Sequence, residues 1–489
     1  MKELFVFLNG QEAGMLESKA GKTAFTYSET WRRSNDAYPL SLSMPMASRE
    51  HSHKSVEPFI WGLLPDNDGV LMSWGKKFQV SQRNAFDLLS HVGEDCAGAI
   101  QFVKPDRIEA ILPEAQPEPD WLTDAQLAER LRMVRADASA GRLGTDRGQF
   151  SLAGAQPKTA LFFDGANWGA TSGRTATTHI LKPASIALSG HAENEHLCLR
   201  LASALGLETV RSTVLQFEDV PTIVVERYDR MIVRDAAEQR KAHAVKLHAE
   251  AEMRRRKGDV DAESESKEIT REANEDFDLA ERLFKQAETT FVARFHQEDF
   301  CQALSVHPAI KYQNQGGPGP KPIVEAIRSN VSSHRLAANS PKFPFAAQDD
   351  VSTFIDALIY NWLIGGTDAH AKNYSLLIGG GGMVRLAPLY DIASILPYPH
   401  IDPRKAKLAM KIGDRYGLSE VSLSDWRKLA ATCRINEDRV IQRIQAMASE
   451  LPDRLADEVK MMRDSGLTHR VIDTLVQVLP KRAAEIAAQ

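Results

Sequence analysis

Between Trp362 and Ile378 the chain reads WLIGGTDAHAKNYSLLI, an apolar segment in which Asp368 and Asn373 stand in a D-x-x-x-x-N interval. That interval suits metal-assisted phosphoryl transfer. An aspartate orients and deprotonates the acceptor hydroxyl, and an asparagine at this distance holds a magnesium ion against the phosphates of a nucleotide. A further carboxylate, Asp391 in RLAPLYDIAS, follows a Val-Arg-Leu-Ala run that reads as a strand. Two carboxylates and one amide offer the oxygen ligands a magnesium site needs. Alone, the interval also fits a turn or a helix cap, where Asp and Asn beside Gly are common. The phosphoryl-transfer reading therefore requires a phosphate-binding loop and a lysine upstream.

Both are present, in the required order. GQFSLAGAQPKTALFF sets Ala153, Gly154 and Ala155 between two β-prone runs, so the backbone can approach a polyphosphate and present its N–H groups. A small-residue hairpin turn is the plainer account of the same stretch. Further on, THILKPA is an apolar strand carrying Lys182, a cation that can neutralise phosphate oxygens or, equally, an edge-strand lysine kept for solubility. HAENEHLCLRLASALGL reads as an amphipathic helix, with Leu197, Leu201 and Leu205 on one face. Of Glu193 and Glu195 near its start, Glu195 is the better placed to pair with Lys182, although acidic residues also stabilise a first helical turn. PTIVVERYDR is then a β-branched strand whose end, Glu226 to Tyr228, stands where the hinge of a two-lobed kinase meets adenine.

Composition bounds the rest. A chain of 489 residues with 43% hydrophobic content supports more than one domain with its own core. No apolar run is long enough to span a bilayer, and MKELFVFLNG lacks the apolar core and cleavage site of a signal peptide, so a cytoplasmic location is expected. Cys96, Cys198, Cys301 and Cys433 lie far apart, without metal or redox spacing, and read as small buried hydrophobes. A net charge of −5 gives no whole-chain footprint for nucleic acid.

With PLSLSMPM, FIWGLLPDN, HVGEDCAGAI, SLAGAQPKTAL, HILKPA, VERYDR, KYQNQGGPG, LIGGTDAHAKNYS and LAPLYDIAS in this order, the chain resembles the HipA family of bacterial serine/threonine kinases, toxins of type II toxin–antitoxin pairs. The resemblance implies an α+β fold: a two-lobed protein-kinase-like body with an N-terminal β-rich subdomain and an all-helical C-terminal lobe. It implies Asp368 as catalytic base and Asn373 and Asp391 as magnesium ligands. Ala153, Gly154, Ala155, Gln156 and Lys158 would cover the ATP phosphates, Lys182 would contact them, and Glu226 and Tyr228 would line the adenine. His370, Ala371 and Lys372 would lie beside the nucleotide, with Tyr390 just ahead of Asp391. Ser151, which opens the phosphate loop, would be autophosphorylated, expelling the loop and silencing the kinase; a phosphoserine adds about two negative charges where the triphosphate must bind. The implied partners are a helix-turn-helix antitoxin, operator DNA only through that antitoxin, and an aminoacyl-tRNA synthetase, the glutamyl enzyme first, as substrate. Other readings of the same residues are a catalytically silent corepressor and a small-molecule kinase.

The elements that must position these residues follow. Residues 1–112 form the N-terminal subdomain, opening on KELFVFLNGQEAGML, a hairpin turning at Asn9-Gly10. Residues 113–230 form the first kinase lobe and 291–489 the second, where VSTFIDALIYNWLIGG and the Leu-spaced segments after Asp425 are helical. Between the lobes, 231–290 is a tract with nearly half its residues charged, no proline and a single glycine, Gly258. It reads as two helices folded back at MRRRKGDVD, either a solvated insertion or a docking arm carrying Arg254, Arg255, Arg256 and Lys257. QNQGGPGPKP is expected to be an irregular loop.

Overall fold

The computed structural model describes residues 2–111, 118–141, 151–172, 175–185, 188–256, 260–288, 291–330 and 350–489. The opening hairpin forms as its turn residues require. Asn9 and Gly10 take φ of 52° and 76°, the left-handed pair that matches strand twist, and Leu8 faces Gln11 across the ladder. Lys2–Leu8 and Gln11–Lys19 belong to a five-stranded antiparallel sheet, with Lys22–Tyr27 and Glu50–His51 on one side and Ile100–Val103 on the other. Alternate residues Leu4, Val6 and Leu8 point into a core closed by the helices His53–Gly62, Asp68–Phe78 and Ala85–Val92 through Phe59, Leu71 and Phe86. The β-rich subdomain therefore carries helices on one face of its sheet.

The first lobe is a six-stranded antiparallel sheet in the order Ser212–Phe217, Val220–Glu226, His179–Pro183, Thr159–Phe163, Trp168–Ala170, Asp120–Leu122. Lys182 therefore sits on an interior strand, opposite Ile223, with its side chain only 11% exposed; it is not an edge lysine. The helix His191–Ala204 packs behind this sheet through Leu197 and Leu201.

The charged tract folds into two long helices, Val233–Arg255 and Val260–Ala287. Ala237, Ala244 and Ala251 are buried at seven-residue spacing on the first, so the backbones can approach closely; Ala273 and Ala280 are buried on the second, and Ser266 donates to Ala251 O at 2.8 Å. A two-strand ladder, Arg230–Ile232 against Val292–Arg294, closes the root of this hairpin. Its expected tip at Lys257, Gly258 and Asp259 lies outside the described residues.

The second lobe is helical in bulk: Pro320–Asn330, Asp350–Ile364, Leu423–Cys433, Glu437–Asp464 and Arg470–Ala487 bury Trp362, Trp426, Leu451 and Leu475 in the largest core. The expectation of an all-helical lobe is corrected in one respect. His296–Asp299, Ser375–Gly379 and Met383–Leu386 form a three-stranded antiparallel sheet, and Lys407–Ile412 with Arg415–Gly417 a hairpin turning at Gly413, φ 56°. These runs are too short for stable helices, and the Gly379–Gly382 stretch forces a tight reversal between two of them. QNQGGPGPKP opens on a 3-10 turn at Gln313–Gln315 and is irregular from Gly316 to Gly319, and Pro320 already opens the helix that follows, where a missing N–H costs nothing. All four cysteines are buried and unpaired. Among the described residues no helix is long and apolar enough to cross a membrane.

Candidate active site

Lys182, Glu195 and Asp391 meet at the junction of the lobes. Lys182 Nζ donates to Glu195 Oε1 at 2.7 Å and to Asp391 Oδ1 at 2.9 Å. Burial works against the charge on Lys182, but Asp391 and then Glu195 outweigh it and hold its pKa above the ordinary lysine value. Burial likewise opposes ionisation of Asp391, and Lys182 followed by Lys158 reverses that, so its carboxyl lies well below the usual range. Glu195, 1% exposed, is thus the helix partner expected from the sequence, while Glu193 is buried away from Lys182. Asp391 has φ of 57°, strained for a residue with a Cβ. Its loop is fixed by backbone bonds from Leu389 N to Glu208 O at 2.8 Å and from Val210 N to Leu389 O at 2.9 Å.

The helix Asp350–Ile364 ends in Gly365, φ 70°, and Gly366, where a Cβ would lie 2.3 Å from Asn361 Oδ1. Only glycine permits that close approach, and the loop it releases carries Asp368. The loop is held by hydrogen bonds from His370 N to Asp368 O at 2.8 Å and from Asn373 Nδ2 to the same oxygen at 2.8 Å. Enclosure in the cleft raises the Asp368 pKa against the hydrogen bond donated by Tyr312 Oη, although the side chain, 66% exposed, stays open to an incoming hydroxyl. Burial and then Lys311 push His370 down to about 3, so it is a neutral imidazole. With its amide nitrogen engaged, Asn373 has its carbonyl oxygen left as a ligand atom, and Asp391 contributes a carboxylate. That donor set fits magnesium, which is held by one or two protein oxygens together with substrate phosphates. Among the described residues no cluster of three His, Cys, Asp or Glu side chains forms a self-contained metal cage.

The loop Ala153–Lys158, expected to cover phosphates, lies opposite. Gly154 has φ of 100°, and Lys158 Nζ donates to Ala153 O at 2.6 Å, folding the loop on itself. Burial and repulsion from Lys182 lower the Lys158 pKa to about 8. Gln156 Nε2 stands 3.1 Å from a ring nitrogen of His191. Ser151 is fully buried: its Oγ donates to Leu63 O at 2.7 Å and its N–H to Asp95 O at 3.0 Å. At the end of the cleft next to Glu226, Tyr228 stacks on Tyr390 with ring centroids 5.7 Å apart, and Tyr390 Oη donates to Lys372 O at 2.8 Å.

These groups surround one cleft of about 240 Å³, lined by Ala153, Gly154, Ala155, Gln156 and Lys158, by Lys182, Glu226 and Tyr228, and by Asp368, His370, Lys372, Asn373, Tyr390 and Asp391. Ser151 lies behind the loop, outside the cleft lining. Ala371, expected beside the nucleotide, instead packs into the core of the second lobe with no exposed surface.

Residue types and spacing assigned no role to Asp66, Lys311 or Tyr312, which also line or touch this cleft. Asp66 lies in LLPDN and the other two in KYQNQGGPG, and their partners are remote in the chain. Equally unread was a buried ionic cluster beneath the hinge, where Arg227 pairs with Asp229 at 2.9 Å and Arg230 with Asp95 at 2.8 Å, joining the N-terminal subdomain to the first lobe. Neighbouring Thr177 donates to Asp95 as well.

Comparison with known proteins agrees with this architecture. The HipA N-terminal domain matches residues 4–103, and the HipA-like C-terminal domain matches 150–257 and 265–455. A putative kinase, Y4mE of Sinorhizobium fredii, is 33% identical over 462 residues, covering 93% of this chain and 91% of its own. The serine/threonine-protein kinase toxin HipA of Shewanella oneidensis is 27% identical over 453 residues, covering 91% of this chain and 86% of its own. The solved complex of Shewanella oneidensis MR-1 HipA with HipB and operator DNA contains a chain of the same fold, with a TM-score of 0.69, 22% identity and 99% coverage of both chains. With both domain models matched, together over most of its length, the chain belongs to the HipA family of serine/threonine protein kinases.

Proposed function

We propose that this kinase uses ATP and magnesium to phosphorylate serine on a protein target in the cytoplasm and thereby arrests growth. The observation that carries the reading is Lys182 held between Glu195 and Asp391, facing Asp368 across a single cleft. Bound magnesium–ATP supplies the phosphoryl group and the metal charge that offsets its oxygens. Asn373 and Asp391 are the residues to hold that metal; Lys182 and Lys158 neutralise phosphate oxygens, and Glu226, Tyr228 and Tyr390 flank the base. Asp368 receives the acceptor hydroxyl's proton on a carboxylate oxygen, and His370, being neutral, adds no competing charge there.

Ser151 is the autophosphorylation site in this reading. Its Oγ is buried against Leu63 O, so a phosphate there cannot be accommodated while the loop stays seated. The modification would expel the Ala153–Lys158 loop and leave the triphosphate without its cover. The target is an aminoacyl-tRNA synthetase, the glutamyl enzyme first, and a helix-turn-helix antitoxin holds the kinase silent, joining it to operator DNA. The family assignment supports the role of a toxin kinase, and the relative solved with HipB and operator DNA supports the antitoxin partner.

The test is expression of the wild-type chain and Asp368→Ala in a bacterial host. Growth should stop with the wild type alone, with phosphoserine on the glutamyl-tRNA synthetase and a fall in charged glutamyl-tRNA. Equal growth with both chains would refute the toxin reading; arrest with fully charged glutamyl-tRNA would refute the target.

A further inference from the structure

Two lysines of the cleft converge on a carboxylate that belongs to neither kinase lobe. Asp66 lies just past the helix His53–Gly62 of the N-terminal subdomain. Its Oδ1 accepts from Lys372 Nζ at 2.6 Å and its Oδ2 from Lys311 Nζ at 2.7 Å. Its backbone N–H donates to Gly154 O at 3.2 Å, and Pro65 bridges to Gly154. One residue therefore touches the phosphate loop, the catalytic loop and the segment whose next residue, Tyr312, donates to Asp368.

The charges give this contact a consequence. Two ammonium groups close enough to share one carboxylate repel each other, and at low dielectric the anion between them decides where both point. Asp66, Lys311 and Lys372 side chains are 13%, 14% and 4% exposed, so water screens them little. A purely structural salt bridge would serve the fold from any buried position, yet all three residues line the nucleotide cleft.

We propose that Asp66 is a positioning residue for phosphoryl transfer, holding Lys372 and Lys311 beside Asp368 and tying the phosphate loop to the catalytic loop. The N-terminal subdomain is then a third wall of the active site. The inference rests on the magnesium–ATP reading of the cleft. Asp66→Asn keeps the size of the side chain and the backbone bond to Gly154 but removes the charge. The freed lysines can then turn to the triphosphate, so nucleotide is held as well as before or better while transfer slows.

The experiment measures phosphate incorporation from γ-labelled ATP with magnesium into the full-length chain. It compares wild type, Asp66→Asn, Asp66→Glu, Lys372→Met and the double variant Asp66→Asn/Lys372→Met, alongside thermal unfolding. The maximal rate of Asp66→Asn should fall about tenfold or more without a rise in the half-saturating ATP concentration. In the Lys372→Met background the same change should cost less than about twofold, because Asp66 acts through that lysine. Asp66→Glu should recover part of the rate. Additive losses in the double variant, or a lowered melting temperature with an unchanged maximal rate, would overturn the assignment. A wild type that incorporates nothing would overturn the magnesium–ATP reading itself, an outcome distinct from both.

Discussion

Lys158 is the residue whose charge state is most open to measurement. Burial and the neighbouring Lys182 lower its pKa to about 8, so its positive charge is full below that pH and is lost as pH rises through it. In the free enzyme this charge therefore fades within an accessible range, and under the proposal that Lys158 meets the ATP phosphates, kcat/KM for ATP should decline above about pH 8, since that ratio reports free-enzyme ionisations. Lys158→Met should be slow throughout and lack this limb of the profile. A wild-type profile flat from pH 7 to 9.5 would contradict the assignment. The small residues Ala153, Gly154 and Ala155 were legible in the sequence as a loop able to approach a polyphosphate because GAQPK is local, whereas Lys158 was implied only by the family resemblance. The sequence could not reveal that Lys182 lies near enough to depress the Lys158 pKa, because that proximity depends on how two strands pair.

Among the elements, the strand His296–Asp299 carries a strongly displaced carboxyl ionisation. It lies against the N-terminal subdomain, where Glu298 Oε1 accepts from Leu42 N at 2.7 Å and His296 Nε2 is 2.9 Å from Leu40 O. Burial raises Glu298 from 4.5 to about 8, although the bond from Leu42 pulls the other way. Glu298 is fully buried, so the folded state keeps its proton where the unfolded chain gives it up. Between about pH 4.5 and 8 the native state then binds more protons than the unfolded one, and stability falls as pH rises. Glu298→Gln removes that titration while keeping an oxygen for Leu42 N. Denaturant midpoints should decline less from pH 5.5 to 8 in the variant than in the wild type; parallel declines would contradict the assignment. This strand was invisible to the sequence reading because HQED has no apolar alternation. Its strand character comes from pairing with Ser375–Gly379, a tertiary contact. By contrast the strand carrying Lys182 and the helix carrying Glu195 were legible, since their apolar periodicities are local and set which face each residue occupies.

At the scale of the molecule, Ala153–Lys158, Lys182, Glu195, Asp368, Asn373 and Asp391, widely spaced along the chain, come together in one cleft because the two lobes face each other across Glu226–Tyr228. What their order along the chain left unread was the third body. Asp66, Leu63 and Asp95 reach from the N-terminal subdomain to the phosphate loop and hinge through single side chains and backbone atoms. Such contacts leave no periodic mark. The charged hairpin is the converse case: its composition made two helices legible, and buried alanines at seven-residue spacing explain how so charged a tract still packs. Its ends return to a common ladder, so the cleft is assembled without it. The most direct test of the whole account is to treat the purified chain with phosphatase, incubate it with magnesium and ATP, and map phosphate by peptide mass spectrometry beside Asp368→Ala. The account predicts phosphate on Ser151 in the wild type and none in the variant. Incorporation that survives the loss of Asp368, or none in either chain together with no ATP binding, would contradict it.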